Sequence, residues 1–119
     1  MIKIFLSYTL RDKSLSVEDL SAFKRAIELL PKMQIYVDIL DNKNANDPQG
    51  EVFYHLDKAS IVWIVNSEHI EASPWAAKEI AIAKESGVPV HYLDLSIIRT
   101  IAKSDSIFEI EQNVEKYLH

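Results

Sequence analysis

Residues 60–65 read Ser-Ile-Val-Trp-Ile-Val, and this stretch decides the fold. A short apolar run rich in β-branched residues is typical of a strand, and the lack of polar alternation predicts that both of its faces are buried. Strands buried on both faces belong to parallel sheets that helices cover on each side. We therefore expect an α/β protein with Ser60–Val65 at the centre of its sheet.

The chain before this strand alternates between strand and helix. Ile2–Leu6 is short and apolar and predicts a first strand, and Gln34–Val37 predicts a second one. Between them we predict a helix over Val17–Leu30, because Ser16 and Asp19 are spaced as a capping box. The apolar residues of this helix recur at steps of three and four and form one stripe, made of Leu20, Phe23, Ile27 and Leu30.

The segment Asp38–Gly50 separates the second strand from the central one and is expected to be a loop. It contains three Asn, three Asp, one Pro and one Gly, which are residues that favour turns. A short helix is predicted over Glu51–Lys58, directly before the central strand.

Helices and a further strand are predicted after the central strand as well. Ser73 and Pro74 suit the N-cap and first turn of a helix that reaches about Ser86, and Gly87 suits a left-handed helix exit. Val88–Leu93 predicts the next strand. Two further helices are expected, one over Ile97–Ala102 and one capped by Ser106 and Glu109 with Ile107, Ile110, Val114 and Tyr117 on one face.

This alternation predicts one domain over residues 1–119, a flavodoxin-like three-layer sandwich. We expect a parallel sheet of four to five strands with helices on both faces. In open sheets of this kind, ligands bind outside the carboxyl ends of the strands. Those ends are expected at residues 7–12, 38–50 and 66–75, where most of the unusual polar residues lie.

Composition excludes several classes of protein. The chain has 119 residues, a formal net charge of −5 and no Cys, which excludes disulfide scaffolds, thiolate metal sites and Cys nucleophiles. The acidic balance argues against general nucleic-acid binding. The apolar runs are too short to span a membrane and no signal-peptide layout is present, so we expect a cytoplasmic protein. No pair of His residues has helical metal-ligand spacing, and no metal site is predicted.

Four stretches, in this order, resemble the Toll/interleukin-1 receptor (TIR) domain family. They are Phe5-Leu6-Ser7-Tyr8 with Asp12, Asp38 after the second strand, Ala59-Ser60 leading through the central strand to Asn66-Ser67, and the motif Trp-x-x-x-Glu within Ser73–Ile80. The small bacterial members, including those of antiphage defence, are nearest in size. Two features depart from the family pattern: the Asp38–Gly50 loop is longer, and the chain after Leu95 is short.

The resemblance implies cleavage of NAD at the bond between nicotinamide and ribose, with Glu79 as the catalytic carboxylate. NAD is then a substrate, and no separate cofactor is expected. The resemblance also implies self-association or contact with other TIR domains. The substrate-binding residues expected at the strand ends are Ser7, Tyr8, Arg11, Asp38 and Trp75. The planar guanidinium of Arg11 suits a phosphate.

Plainer interpretations stay open for each of these residues. Glu79 can be a solvated helix residue with Trp75 as a core anchor, and Asp38 can hold its loop. Two other functions also stay open. One is a non-catalytic module that binds other TIR domains. The other is an enzyme like the nucleoside deoxyribosyltransferases, although Ser73–Glu79 lacks the Gly-containing motif of that family.

Overall fold

The sheet has β1 (Ile2–Ser7) and β3 (Ile61–Asn66) at its centre and β2 (Met33–Tyr36) and β4 (Val90–Asp94) at its edges. The computed structural model describes residues 1–10, 14–42 and 46–119. Within that part of the chain the strand order is β2-β1-β3-β4, and every pairing is parallel. The predicted parallel sheet is confirmed, with four strands.

Helices cover both faces of the sheet, which confirms the flavodoxin-like three-layer architecture. The helices of the described residues are α1 (Val17–Glu28), α2 (Asp38–Asp41), α3 (Pro48–Lys58), α4 (Pro74–Glu85), α5 (Leu95–Lys103) and α6 (Ile107–Val114), with a 3₁₀ turn at Glu115–Tyr117. One face of the sheet carries α1, α5 and α6, and the other carries α3 and α4.

The central strand β3 is buried on both faces, as its sequence predicts. Trp63 and Val65 face α1, α5 and α6, whereas Val62 and Ile64 face α3 and α4, and all four side chains are 0% exposed. The indole Nε1 of Trp63 donates a hydrogen bond of 2.8 Å to the backbone oxygen of Tyr117. That bond satisfies a polar group inside the core and anchors the end of the chain to the sheet.

Local signals mark the helix ends well. Ser16 and Asp19 form the predicted capping box of α1, and Ser73 caps α4 with Pro74 in its first turn. Gly87 follows α4 with φ of +73°. Some element bounds differ from the prediction: α1 ends at Glu28, β4 starts at Val90, and α5 extends over Leu95–Lys103.

The predicted stripe of the last helix is only partly buried. Ile110 and Val114 are fully buried, whereas Ile107 is 49% exposed. Ile107 is the first residue of α6, directly after its N-cap Ser106.

The prediction that Asp38–Gly50 is one loop is also wrong in part. Asp38–Asp41 forms a helical turn, and α3 begins at Pro48 instead of Glu51. The Asp47 carboxylate accepts a hydrogen bond of 3.1 Å from the N–H of Gly50 and so caps α3. Asp and Pro favour helix starts as well as loops, so composition alone does not separate the two.

None of the helices within the described residues has the length and apolar content needed to cross a membrane.

We predict that Gly87→Ala lowers the free energy of unfolding by about 1 kcal/mol, because a Cβ is strained at positive φ. An added Cβ would meet no atom within 4 Å, so the loss comes from the backbone alone. Gly87→Asn is the matched control and should lose less, since Asn tolerates the left-handed region. Urea unfolding measures both variants, and an Ala variant as stable as the parent contradicts the prediction.

Candidate functional site

A cavity of about 390 Å³ opens beyond the carboxyl ends of β1 and β2 and is bounded by α2, α3 and the start of α4. We call it the strand-end cavity. It lies where open parallel sheets bind their ligands. The residues that line it are Leu6, Tyr8, Thr9, Leu10, Asp38, Asn42, Pro48, Gln49, Val52, Ser73, Trp75 and Glu79.

Glu79 reaches this cavity from the second turn of α4. Its Oε1 accepts a hydrogen bond of 3.1 Å from the hydroxyl of Ser7, which is the last residue of β1 and is 1% exposed. Because Ser7 belongs to a central strand, this bond holds the Glu79 carboxyl on the rigid part of the fold. The structure thus brings these two predicted site residues into direct contact.

Burial raises the pKa of the Glu79 carboxyl from 4.5 to about 7. The hydrogen bond from Ser7 acts in the opposite direction, and the charge of Asp38 raises the pKa further. Glu79 therefore changes its protonation near neutral pH. A carboxyl with a strongly perturbed pKa inside a cavity is a feature of functional sites.

Tyr8 and Asp38 form the opposite part of the wall. The hydroxyl oxygen of Tyr8 accepts a hydrogen bond of 2.9 Å from the backbone N–H of Ile39. Burial raises the pKa of Tyr8 to about 12, and the charges of Asp38, Glu79 and Asp41 raise it as well. Tyr8 therefore keeps its proton at neutral pH and is able to donate it in a hydrogen bond.

Asp38 is held in place by two donors. Its Oδ1 accepts hydrogen bonds from the hydroxyl of Tyr36 at 2.9 Å and from Nδ2 of Asn42 at 2.7 Å. Asn42 Nδ2 also donates to the backbone oxygen of Pro48 at 3.0 Å, which joins the two ends of the Asp38–Gly50 segment. Asp38 thus supports its own segment and lines the cavity at the same time.

Trp75 lines the cavity but is 49% exposed, so the interpretation of Trp75 as a core anchor is wrong. It is the second residue of α4 and lies in the first turn of that helix. The ammonium of Lys78 lies 5.7 Å from the Trp75 ring centroid and 5.0 Å from that of Phe53. Trp75 therefore offers part of its ring to the solvent at the rim of the cavity.

Most of the predicted site residues come together. Tyr8, Asp38, Trp75 and Glu79 all line the strand-end cavity, and Ser7 contacts it through Glu79. The predicted phosphate contact of Arg11 lies outside the described residues, as does Asp12.

Sequence reasoning missed Asn42 and Gln49 as lining residues. Asn42 lies four residues after Asp38, a spacing that makes two side chains neighbours only if the chain between them is helical. The assignment of Asp38–Gly50 as a loop concealed that signal. Gln49 was missed for the same reason, because it belongs to the first turn of α3.

The described lining is acidic. It contains the carboxyl groups of Asp38 and Glu79 and no Lys or Arg side chain. Within the described part of the chain, no group of three or more His, Asp or Glu side chains is placed to hold a metal ion. The arrangement suits a ligand that carries hydroxyl or amide donors, or a positive charge, into the cavity.

We predict that Glu79→Gln stabilises the protein at alkaline pH. A pKa that is higher in the folded than in the unfolded protein contributes stability below pH 4.5, and this contribution is lost as the pH rises through about 7. Gln keeps the shape of the protonated group and an oxygen for Ser7, so the gain should approach about 3 kcal/mol at pH 8, at about 1.4 kcal/mol per pKa unit. Unfolding measured at pH 5 and pH 8 tests this.

The exposed Glu85 on the same helix provides the control, since Glu85→Gln should give no comparable gain. An equal effect of Glu79→Gln on stability at both pH values would show that burial does not raise the pKa of the Glu79 carboxyl.

Comparison with models of known protein families finds no match to this chain, and comparison with curated proteins finds none either. The resemblance to TIR domains stays a prediction from the four stretches quoted above. The function of the strand-end cavity is therefore inferred from its geometry and chemistry.

Proposed function

We propose that this protein is a TIR-like enzyme that cleaves NAD at the nicotinamide–ribose bond, with Glu79 as its catalytic residue. The observation that carries the proposal is the Glu79 carboxyl itself. It lies at the carboxyl ends of the strands, in a cavity whose described lining is acidic. It accepts a hydrogen bond from Ser7 and lies near the charge of Asp38. This arrangement costs stability at neutral pH, and such costs are typical of sites kept for function.

The chemistry of the bond matches the acidic residues in the described lining of the cavity. The nicotinamide ring of NAD is a pyridinium, so when the bond to C1′ of the ribose breaks, the electron pair goes to the ring nitrogen and nicotinamide leaves neutral. Positive charge then develops on the ribose, and a fixed carboxylate nearby stabilises it. Ionised Glu79 supplies that carboxylate, and the same group accepts hydrogen bonds from ribose hydroxyls.

The second half of the reaction determines the product. In a hydrolase, water attacks C1′ and loses its proton, giving ADP-ribose. In a cyclase, a nucleophilic atom of the adenine ring attacks C1′ instead. We propose that the Tyr8 hydroxyl donates a hydrogen bond to the substrate and that a flat ring of the substrate stacks on the exposed part of Trp75. Both residues line the cavity.

A non-catalytic interaction module is the second candidate. Two neighbouring apolar residues on α6 favour it, since Ile107 is 49% and Phe108 is 69% exposed. Exposed apolar side chains that lie close together on a surface are typical of sites that bind proteins. A module of this kind would leave NAD intact at any protein concentration.

We predict that Glu79→Gln slows release of nicotinamide from NAD by about 10²-fold or more, the loss that follows removal of one charge-stabilising group. Chromatography of concentrated protein incubated with NAD measures the rate, and Glu85→Gln serves as the control with parental activity. A folded Glu79→Gln variant with the parental rate would exclude Glu79 as the catalytic residue. A parent that releases no nicotinamide favours the interaction module.

We further expect kcat/KM of the parent to rise with pH through about 7 and then to level off. The reaction needs ionised Glu79, and kcat/KM reports the pKa of the free enzyme. Rates measured between pH 5 and pH 9 test this. A profile that falls over the same range would mean that the protonated form is the active one.

A further inference from the structure

The two edges of the sheet differ in how their backbone groups are satisfied. The backbone N–H of Ile2 on β1 donates to the backbone oxygen of Lys32, just before β2. In a parallel ladder with this register, the backbone N–H and C=O of Ile35 face away from β1. Side chains of α1 occupy both groups: the Ile35 N–H donates to Glu28 at 3.2 Å, and its oxygen accepts from Lys24 at 2.7 Å. The β2 edge is therefore closed to another strand.

The backbone N–H of Val37, which also lies on this edge, is occupied as well. The N–H of Val37 donates to the Asp41 carboxylate at 2.8 Å, and Lys24 forms an ion pair with the same carboxylate at 3.2 Å. Charged side chains along an edge strand are a common way to prevent pairing between sheets.

The β4 edge has no such protection. The N–H of Val62 donates to the Pro89 oxygen, so the N–H and C=O groups of Val90 and Tyr92 point away from β3. No residue in the described part of the chain forms a hydrogen bond with these backbone groups. Tyr92 is 48% exposed, and β4 contains neither Lys nor Pro. An unpaired edge of this kind is a ready template for another strand.

We propose that β4 pairs with β4 of a second copy of this chain, antiparallel and about a two-fold axis, to form one continuous sheet. The partner strand must itself have an open edge. The β2 edge is closed, which excludes head-to-tail pairing of β4 with β2 of the next copy. Of the two sheet edges, β4 is the one left, and pairing a strand with its own copy gives a closed two-fold dimer.

The two-fold axis is expected to pass beside Tyr92, because the backbone N–H and C=O of Tyr92 both point away from β3. Centred there, the pairing uses both backbone groups of Tyr92 and pairs Val90 with Asp94 of the other copy. Tyr92 lies opposite Ile64 in the ladder and so projects on the face that carries α3 and α4. The two Tyr92 rings then pack side by side, which buries an exposed aromatic pair. The two Asp94 carboxylates lie apart from each other.

This interface is independent of the proposed function. The strand-end cavity is lined by residues around β1, β2 and α4, and β4 contributes none of its described lining. A failed dimer test leaves NAD cleavage untouched, and the reverse also holds.

Sedimentation equilibrium of the full chain tests the proposal. We expect a dimer that dissociates on dilution, with a Kd raised at least about tenfold by Tyr92→Lys, which is about 1.4 kcal/mol of association free energy. Tyr54→Lys replaces another exposed aromatic residue, on α3 near the β2 edge, and should leave Kd unchanged. Assemblies larger than a dimer, a parent that is monomeric up to millimolar concentration, or equal effects of the two variants would overturn the proposal.

A cysteine test keeps the register falsifiable if Tyr92→Lys fails to fold. The chain has no Cys, so Tyr92→Cys introduces a single thiol. Directly opposite hydrogen-bonded residues have Cα atoms about 5.5 Å apart, within the range that a disulfide spans. Mild oxidation should link Tyr92→Cys into dimers and leave Tyr54→Cys mostly monomeric. Linking of both variants to the same extent, or of Tyr54→Cys alone, would refute the pairing.

Discussion

The burial of β3 on both faces is the constraint on which the rest of this structure depends. Its apolar side chains from Val62 to Val65 are 0% exposed, and each one contributes about 1.5–3 kcal/mol when removed from water. Such a strand needs a neighbour on each side and a helical layer on each face. The parallel order β2-β1-β3-β4 and the two helical layers meet that requirement. The bond from Trp63 to Tyr117 extends the same constraint to the last residues of the chain.

The position of the site follows from this arrangement. In a parallel sheet the carboxyl ends of the strands lie together, so the segments after β1 and β2 and the start of α4 meet at one edge of the sheet. Ser7 lies at the end of a buried strand and fixes the Glu79 carboxyl through one hydrogen bond. The cavity beside it has little positive charge in its described lining to offset two acids. The ionised Glu79 carboxylate consequently lowers the stability of the fold, and its negative charge is suited to stabilising a cation.

The same helix that supports the core also protects one edge of the sheet. Phe23 and Ile27 of α1 are fully buried, whereas Lys24 and Glu28 lie at the side of the helix and reach the backbone of Ile35. Nothing comparable protects β4, where Tyr92 remains half exposed. One helix thus combines packing and edge protection on the β2 side, and the sheet is left with a single open edge within the described residues.

The amino-acid sequence by itself determined the features that depend on neighbours along the chain. The run at Ile61–Val65 specified a doubly buried strand, and Ser16, Ser73 and Ser106 specified helix starts, because capping acts within a few residues. The Trp-x-x-x-Glu spacing placed Trp75 and Glu79 on one helix. Tertiary structure alone decided their environments. The pKa of Glu79 depends on burial and on Ser7 and Asp38, which are distant in sequence. The exposure of Trp75 depends on how α4 packs against its neighbours. Desolvation and contact arise only when the layers pack, so no local pattern encodes them.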